Sequence, residues 1–145
     1  MTEIDNELVQ NRILLLEENL GNLHELQSTD QNDFFSDFRI YNAAEHLLQV
    51  NIDIMIDITA HLVSRLFHSM PEDAAQLFVV LAENQLISED HAHKFAEMIH
   101  FRNILVHHYV KVDLNLVYSY LQDELGDFDE FTEDIKAILE YANSY

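Results

Sequence analysis

Apolar residues recur along the chain at helical spacing, and few residues interrupt that pattern. Between residues 4 and 23 they approximate a period of 3.6, which predicts a first helix from about Asp5 to Ser28 with Asp5 as its N-cap. Residues 28–33 are polar and predict a loop, with Asp33 available to cap the next helix. Because only two glycines and one proline occur in 145 residues, we expect long helices and few turns.

The stretch from Phe34 to His68 has no helix breaker, but its pattern is mixed. Residues 48–54 alternate apolar and polar side chains and include β-branched ones, which alone would indicate a strand. We nevertheless predict one long helix, because the uninterrupted length favours it and polar side chains recur every four residues. These polar positions are Glu45, Gln49, Asp53, Asp57, His61 and Arg65. A helix that is apolar around most of its circumference should be central, packed on its own chain and on a second copy.

Start and stop signals divide the rest of the chain into four further helices. Pro71 stands at a favourable first-turn position before two acidic residues, and Asp127 with Glu130 has the spacing of a capping box. The predicted elements are Pro71 to Asn84, a helix capped by Ser88, Val112 to Leu125 with a stop at Gly126, and a last helix opened by Asp127. The pattern predicts a single all-α domain over residues 1–145, an antiparallel bundle of five to six helices.

Composition restricts the compartment and the class of site. Hydrophobic residues make up 48% of the chain, so disorder is not expected despite the charge. The absence of cysteine excludes disulfides and thiolate metal sites, and agrees with a reducing cytoplasm. The acidic N-terminus does not have the form of a signal peptide, and no continuous apolar run approaches the roughly 18 residues that cross a bilayer. We expect a cytoplasmic protein without a membrane segment.

The net charge of −20 is unfavourable for a protein that would wrap RNA, because affinity for nucleic acid comes largely from Lys and Arg. The charge is unevenly distributed, however. Residues 91–111 carry +2 and contain five histidines. Since charges are screened over about 8 Å at physiological salt, this local patch can act despite the distant acidic field. The charge therefore argues against a broad RNA-binding surface and leaves room for a small catalytic cleft.

The most distinctive residues lie between positions 102 and 109. Arg102, His107, His108 and Tyr109 fall within eight residues, around the apolar run of residues 104–106. An arginine is a fixed cation for a phosphate, and a histidine carries a proton near neutral pH. Together they suffice for phosphodiester chemistry without a metal or cofactor. The simpler alternative is that such a pair only interacts with the carbonyls at a helix end.

These residues form the pattern Arg-Asn-x-x-Val-His-x-Tyr, which resembles the signature of the HEPN superfamily. Within it, the chain is similar to the HepT toxins of the HepT/MntA toxin–antitoxin systems, through residues 44–50, 81–87 and 113–131 as well. The resemblance implies a HEPN-like fold that forms homodimers. It also implies RNA cleavage by Arg102 and His107, with Tyr109 as the residue to which an MntA-like minimal nucleotidyltransferase antitoxin attaches AMP.

Helix geometry raises a difficulty for one continuous motif helix. On an ideal helix, Arg102 and His107 are about 140° apart around the axis, whereas Tyr109 lies about 20° from Arg102. Either the helix loosens after Val106, or two motifs meet across a twofold axis and each chain completes the other's cleft. We favour the dimer, with some loosening as well.

The function that follows from the residues and the resemblance is a metal-independent RNA endonuclease. Asn103, one turn before His107, is expected to orient its ring or to contact phosphate. The resemblance favours tRNA as substrate, with mRNA second. A metal bound by Asp53, Asp57 and His61 is the weaker interpretation of the polar positions, because no second Glu/His pair completes that set. The alternative function is a non-catalytic helical module that binds a nucleotide or a partner protein.

Overall fold

Seven helices account for most of residues 3–107 and 112–144, the parts of the chain that the computed structural model describes. In chain order these are α1 (Asn6–Gln27), α2 (Gln31–Ser36), α3 (Phe38–Phe67), α4 (Ala74–Glu83), α5 (Glu89–Val106), α6 (Leu114–Asp123) and α7 (Gly126–Asn143). No strand occurs within these two ranges. The all-α prediction is confirmed, with one helix more than expected.

Short polar side chains fix where most helices begin. The Asp5 carboxylate accepts a hydrogen bond from the Leu8 N–H at 3.0 Å, and Ser88 Oγ accepts one from the His91 N–H at 3.0 Å. Both residues were predicted as N-caps, and both predictions are confirmed. Each bond satisfies one of the N–H groups that the first turn of a helix leaves without a partner.

The loop predicted over residues 28–33 covers only residues 28–30, and the prediction that Asp33 caps the next helix is wrong. The Asp30 carboxylate accepts from the Asn32 N–H at 2.8 Å and thereby starts α2. Asp33 lies inside α2, where its carbonyl accepts from the Asp37 N–H at 2.9 Å. Asp37 in turn accepts from the Arg39 N–H and caps α3, so that the long helix begins at residue 38 rather than 34.

Three other predicted helix starts are shifted. The helix assigned to Val112 to Leu125 begins at Leu114, where the Asp113 carboxylate accepts from the Asn115 N–H, and Gly126 opens the last helix instead of stopping this one. The helix assigned to Pro71 begins at Ala74, because the Asp73 carboxylate accepts from the Ala75 N–H at 3.0 Å. The last helix begins at Gly126 without a side-chain cap. Asp127 lies in its first turn with a carboxylate oxygen 3.8 Å from Lys94 Nζ, so the predicted capping box does not form.

The central element is α3, which contacts α1, α2, α4, α5 and α6. Residues 48–54, whose alternation resembled a strand, lie within this helix, and the prediction of one long helix is confirmed. By length and composition alone α3 could cross a membrane, although charged residues interrupt it. Half of the 18-residue window that meets this criterion is buried inside the structure.

Aromatic packing fixes the position of α5. Phe95 is fully buried, and its ring centroid lies 5.4 Å from that of Phe78 on α4 and 5.6 Å from that of Phe131 on α7. The edge-to-face arrangement of Phe95 and Phe131 adds to the gain from burying these large rings. The helix that carries Arg102 is thus held by α4 and α7 as well as by α3.

Candidate functional site

Arg102 projects from α5 toward α3, where it meets an acidic side chain. Its Nε donates to Asp53 Oδ1 at 2.6 Å, and its Nη1 donates to Asn103 Oδ1 at 3.0 Å. The side chains of Arg102 and Asp53 are 30% and 35% exposed, so solvent and ligands reach both. The guanidinium is therefore a fixed cation at the surface between the two helices.

His107 stands just beyond the helix that carries Arg102. Helix α5 ends at Val106, and His107 is its C-cap, with φ −89° and ψ 73°. Its backbone N–H still donates to the Asn103 carbonyl at 3.1 Å, while the residue as a whole is exposed. The helix ends after Val106, which agrees with the loosening that was one of the two alternatives and was expected alongside the favoured dimer. The His107 ring is consequently not restricted to the angular position that a continuing helix would impose.

Asn103 contacts both of the predicted catalytic residues. Its side-chain oxygen accepts from Arg102, and its carbonyl accepts from the His107 N–H. The amide thus supports the arginine rather than the histidine ring. The predicted supporting role stays a prediction, now with a defined contact.

Two residues of the motif, His108 and Tyr109, lie outside the described residues. The prediction that Tyr109 receives AMP therefore stays a prediction.

The comparison with known proteins rests on more than the motif. A family model described as ribonuclease HepT-like matches residues 16–135, a segment that contains Arg102, Asn103, His107 and Tyr109. The chain belongs to the HepT-like ribonuclease family.

Relatives of known function agree with this assignment. The chain is 28% identical to the mRNA nuclease HepT of Shewanella oneidensis, over 91% of this chain and 98% of the relative. It is 27% identical to the tRNA nuclease HepT of Aphanizomenon flos-aquae, over 96% and 95%. A solved structure of the tri-AMPylated Shewanella oneidensis HEPN toxin in complex with MNT antitoxin matches with a TM-score of 0.83 and 28% identity, over 91% of this chain and 98% of that one.

The polar residues along α3 contact different parts of the molecule and do not form one site in this HepT-like fold. Asp53 pairs with Arg102, whereas His61 Nε2 accepts from the backbone N–H of Asp5 at 3.0 Å. Burial lowers the pKa of His61, and the positive charge of Arg65 lowers it further. Among the described residues, no group of three or more His, Asp or Glu side chains is placed to hold a metal ion. The sequence did not predict the pairing of Asp53 with Arg102.

The two histidines near the start of α5 differ in environment. His93 is exposed, as predicted for a surface residue, with 79% of its side chain accessible. His91 is not simply a surface residue, because it is half-buried and its Nδ1 lies 2.7 Å from Asp134 Oδ2 on α7. The hydrogen bond to Asp134 raises the pKa of His91. One turn further, Lys94 Nζ lies 2.8 Å from Glu130 Oε2, so ionic contacts join the motif helix to α7.

We expect protonation of His91 and Asp127 to make the fold more stable at mildly acidic pH. Burial, reinforced by the carboxylate of Glu124, raises the pKa of Asp127 to about 6. Asp127 and His91 both bind protons more tightly in the folded state than in the unfolded state, so the free energy of unfolding falls as pH rises through their folded pKa values. The melting temperature should therefore be higher near pH 6 than near pH 8.

Variants separate the contribution of His91 and Asp127 to the pH dependence of stability from the contribution of the other acidic residues. In His91→Asn with Asp127→Asn, the melting temperature should depend less on pH, whereas the exposed control His93→Asn should follow the wild-type curve. Thermal unfolding followed by circular dichroism across pH 5.5 to 8.5 measures this. Equal pH dependence in the wild type and the double variant would contradict the assignment.

A groove of about 460 Å³ lies between α5 and α6, lined by Ile104 of the motif segment but by none of Arg102, Asn103 and His107. At its floor the rings of Phe101 and Tyr120 stack in parallel, with centroids 4.0 Å apart. Burial raises the pKa of the Tyr120 phenol. Four carboxylates surround the groove, from Asp90, Glu97, Glu124 and Asp127. A surface of this charge is unfavourable for RNA, so the substrate is expected at Arg102 rather than here.

Proposed function

We propose that this HepT-like chain is an RNA endonuclease, the toxin of a toxin–antitoxin pair that a nucleotidyltransferase inactivates. The observation that carries the proposal is the arrangement at the end of α5. There a guanidinium is held by Asp53 and Asn103, and the exposed His107 follows directly after the helix. The family match over residues 16–135 and the names of the relatives support it.

The proposed reaction is a transesterification that needs no metal. A neutral His107 removes the proton from a ribose 2′-OH, whose oxygen attacks the adjacent phosphorus. Arg102 binds the non-bridging oxygens and stabilises the charge that grows on them. The planar, permanently charged guanidinium is better suited to this role than the ammonium group of lysine. The P–O5′ bond breaks, and the leaving oxygen takes a proton from the protonated His107 of a second copy. The products are a 2′,3′-cyclic phosphate and a 5′-OH.

The substrate is proposed to be tRNA, with mRNA as the second choice. The two named relatives differ on this point, since one is an mRNA nuclease and the other a tRNA nuclease, at almost equal identity. The test is to incubate the purified protein with both RNA classes, with and without EDTA, and to identify the new termini. We expect cleavage in EDTA, cyclic phosphate ends, and no cleavage where a single 2′-deoxy nucleotide replaces the attacked ribose. Loss of activity in EDTA that a divalent ion restores would contradict the mechanism.

A non-catalytic module that binds a partner protein is the alternative, and the net charge of −20 favours it. Expression in a bacterial host separates the two functions. A ribonuclease toxin should arrest growth, and His107→Ala should relieve the arrest. Arrest that persists in that variant would favour the binding module.

The proposed acid–base pair requires a homodimer with both motifs at the interface. Ile104 on α5 and Phe38 on α3 are large apolar residues that stay 40% and 62% exposed in the single chain, on the two helices predicted to meet a second copy. Light scattering at micromolar concentration should give about twice the 17.0 kDa chain mass. Ile104→Glu should weaken the dimer, whereas Leu14→Glu, at an exposed apolar position on α1, should not. A 17.0 kDa species alone would refute this arrangement.

A further inference from the structure

The contact between Asp53 and Arg102 joins two helices across 49 residues of sequence. We propose that Asp53 is a positioning residue, which fixes the orientation of the Arg102 guanidinium before the phosphate of the substrate binds. This inference rests on the ribonuclease activity proposed above and adds to it a residue outside the motif.

The geometry leaves the arginine available for a ligand. A guanidinium has five N–H donors, of which Asp53 takes the one on Nε and Asn103 takes one on Nη1. Within the described ranges no other group accepts from Arg102, so three donors on the two terminal nitrogens stay available for phosphate oxygens. Asp53 thus holds the inner side of the guanidinium and leaves its outer edge open.

The support for Asp53 itself is rigid. Its neighbours Ile52 and Ile54 are buried in the core, with exposures of 0% and 4%, and α3 is the helix on which most others pack. A carboxylate on such a helix cannot easily follow a moving arginine. It therefore limits the orientations of a side chain that would otherwise rotate freely, which is the condition for stabilising a transition state without reorganisation.

The same carboxylate has an opposite effect on binding. Its negative charge repels the phosphate that Arg102 attracts. Removal of Asp53 should consequently lower kcat, because the guanidinium loses its fixed orientation, while KM should stay the same or fall. A residue that only supports the fold would not change the two constants in this way, since partial unfolding lowers the amount of active enzyme without improving binding.

The experiment compares Asp53→Ala with Asp57→Ala. Asp57 lies one turn further along α3, is exposed and contacts neither Arg102 nor Asn103, so it controls for the loss of one negative charge. In Asp53→Ala we expect kcat to fall about tenfold or more, as when a reacting group is misplaced. In Asp57→Ala kcat should be unchanged. Asp53→Glu, which keeps a carboxylate, should recover part of the activity.

A second background shows whether Asp53 acts through Arg102. In an Arg102→Lys protein, which lacks the Nε–H, adding Asp53→Ala should lower the residual single-turnover rate only slightly, because the effects of residues that act as a unit are not additive.

The hydrogen bond between Arg102 and Asp53 can also be followed by NMR spectroscopy, without any RNA. The Nε–H signal of Arg102, identified by its loss in Arg102→Lys, should shift in Asp53→Ala and stay in place in Asp57→Ala. If Asp53→Ala does not fold, Asp53→Asn replaces it, because asparagine has the same shape but is a weaker acceptor. This variant is expected to show the same changes in kcat and in the Nε–H signal, with a smaller magnitude.

Each possible outcome either supports or overturns the positioning role of Asp53. Wild-type kcat in the Asp53 variants, an unshifted Nε–H signal, or an equal loss of rate in both arginine backgrounds would overturn the positioning role while leaving the ribonuclease intact. If the wild type does not cleave RNA, or if Arg102→Ala cleaves as well as wild type, the proposed function itself is refuted and the role of Asp53 with it.

Discussion

Replacement of His107 by alanine is expected to lower the rate of RNA cleavage by at least about a hundredfold, the usual contribution of a positioned general base. Arg102→Ala should have an effect of about 10²–10³, since it removes the charge that stabilises the developing phosphorane oxygens. The His107 side chain is exposed, and its structural hydrogen bond to Asn103 uses the backbone N–H, which alanine retains. The fold should therefore survive the first change.

The Arg102 variant leaves Asp53 without its partner, but this carboxylate is 35% exposed and can be hydrated. Ion pairs at such positions contribute little to stability, so only a small change in melting temperature is expected. His93→Ala and Lys136→Ala are matched controls, because both side chains are more than half exposed and neither pairs with a motif residue. Cleavage should be lost in the two motif variants and kept in both controls. A motif variant with wild-type kcat would remove that residue from the mechanism.

Co-expression with a cognate nucleotidyltransferase is expected to add AMP to Tyr109 and to abolish cleavage. Each AMP brings a phosphate charge to a site that binds phosphate, so it competes with RNA for Arg102 and also blocks access by its bulk. The solved relative that is a tri-AMPylated toxin in complex with MNT antitoxin supports a modification of this kind. The alternative is that Tyr109 only packs against the helix that follows.

Intact mass and peptide fragmentation decide between these roles. The expected result is one or more AMP units on Tyr109 and none in Tyr109→Phe, which should cleave RNA even when the antitoxin is present. Tyr141→Phe is the matched control, because Tyr141 is an exposed tyrosine on α7, remote in sequence from the motif. Full neutralisation of an active Tyr109→Phe protein would show that inhibition comes from binding alone.

Sequence patterns predicted the helical elements well where local chemistry determines them. Asp5 and Ser88 cap α1 and α5 as expected, because a cap depends on residues within one turn. The starts assigned to Pro71 and Asp127 failed because competing signals stood nearby. Asp73 is the better cap for α4, and Asp127 is near Lys94 instead of closing a capping box. Tertiary packing around α3 also overrode the strand-like alternation of residues 48–54.

The site shows the same division between local and distant effects. The angle between Arg102 and His107 on one helix is a local property, and it left the end of α5 after Val106 as one of two alternatives. The pairing of Arg102 with Asp53 could not be predicted, because Asp53 is one of six polar positions on α3 and only the packing of α3 on α5 selects it. A single sequence carries no signal for that choice.

The residues that form the site and those that support it lie far apart in the sequence, so they are synthesised at different times. Asp53 leaves the ribosome long before Arg102, and Phe131, which packs on Phe95 of the motif helix, leaves later still. Because α5 gains this contact only when α7 has formed, a nascent chain with the whole motif exposed still lacks the packing that holds the arginine in place. Ribosome-bound chains truncated before residue 126 should consequently be poor nucleases.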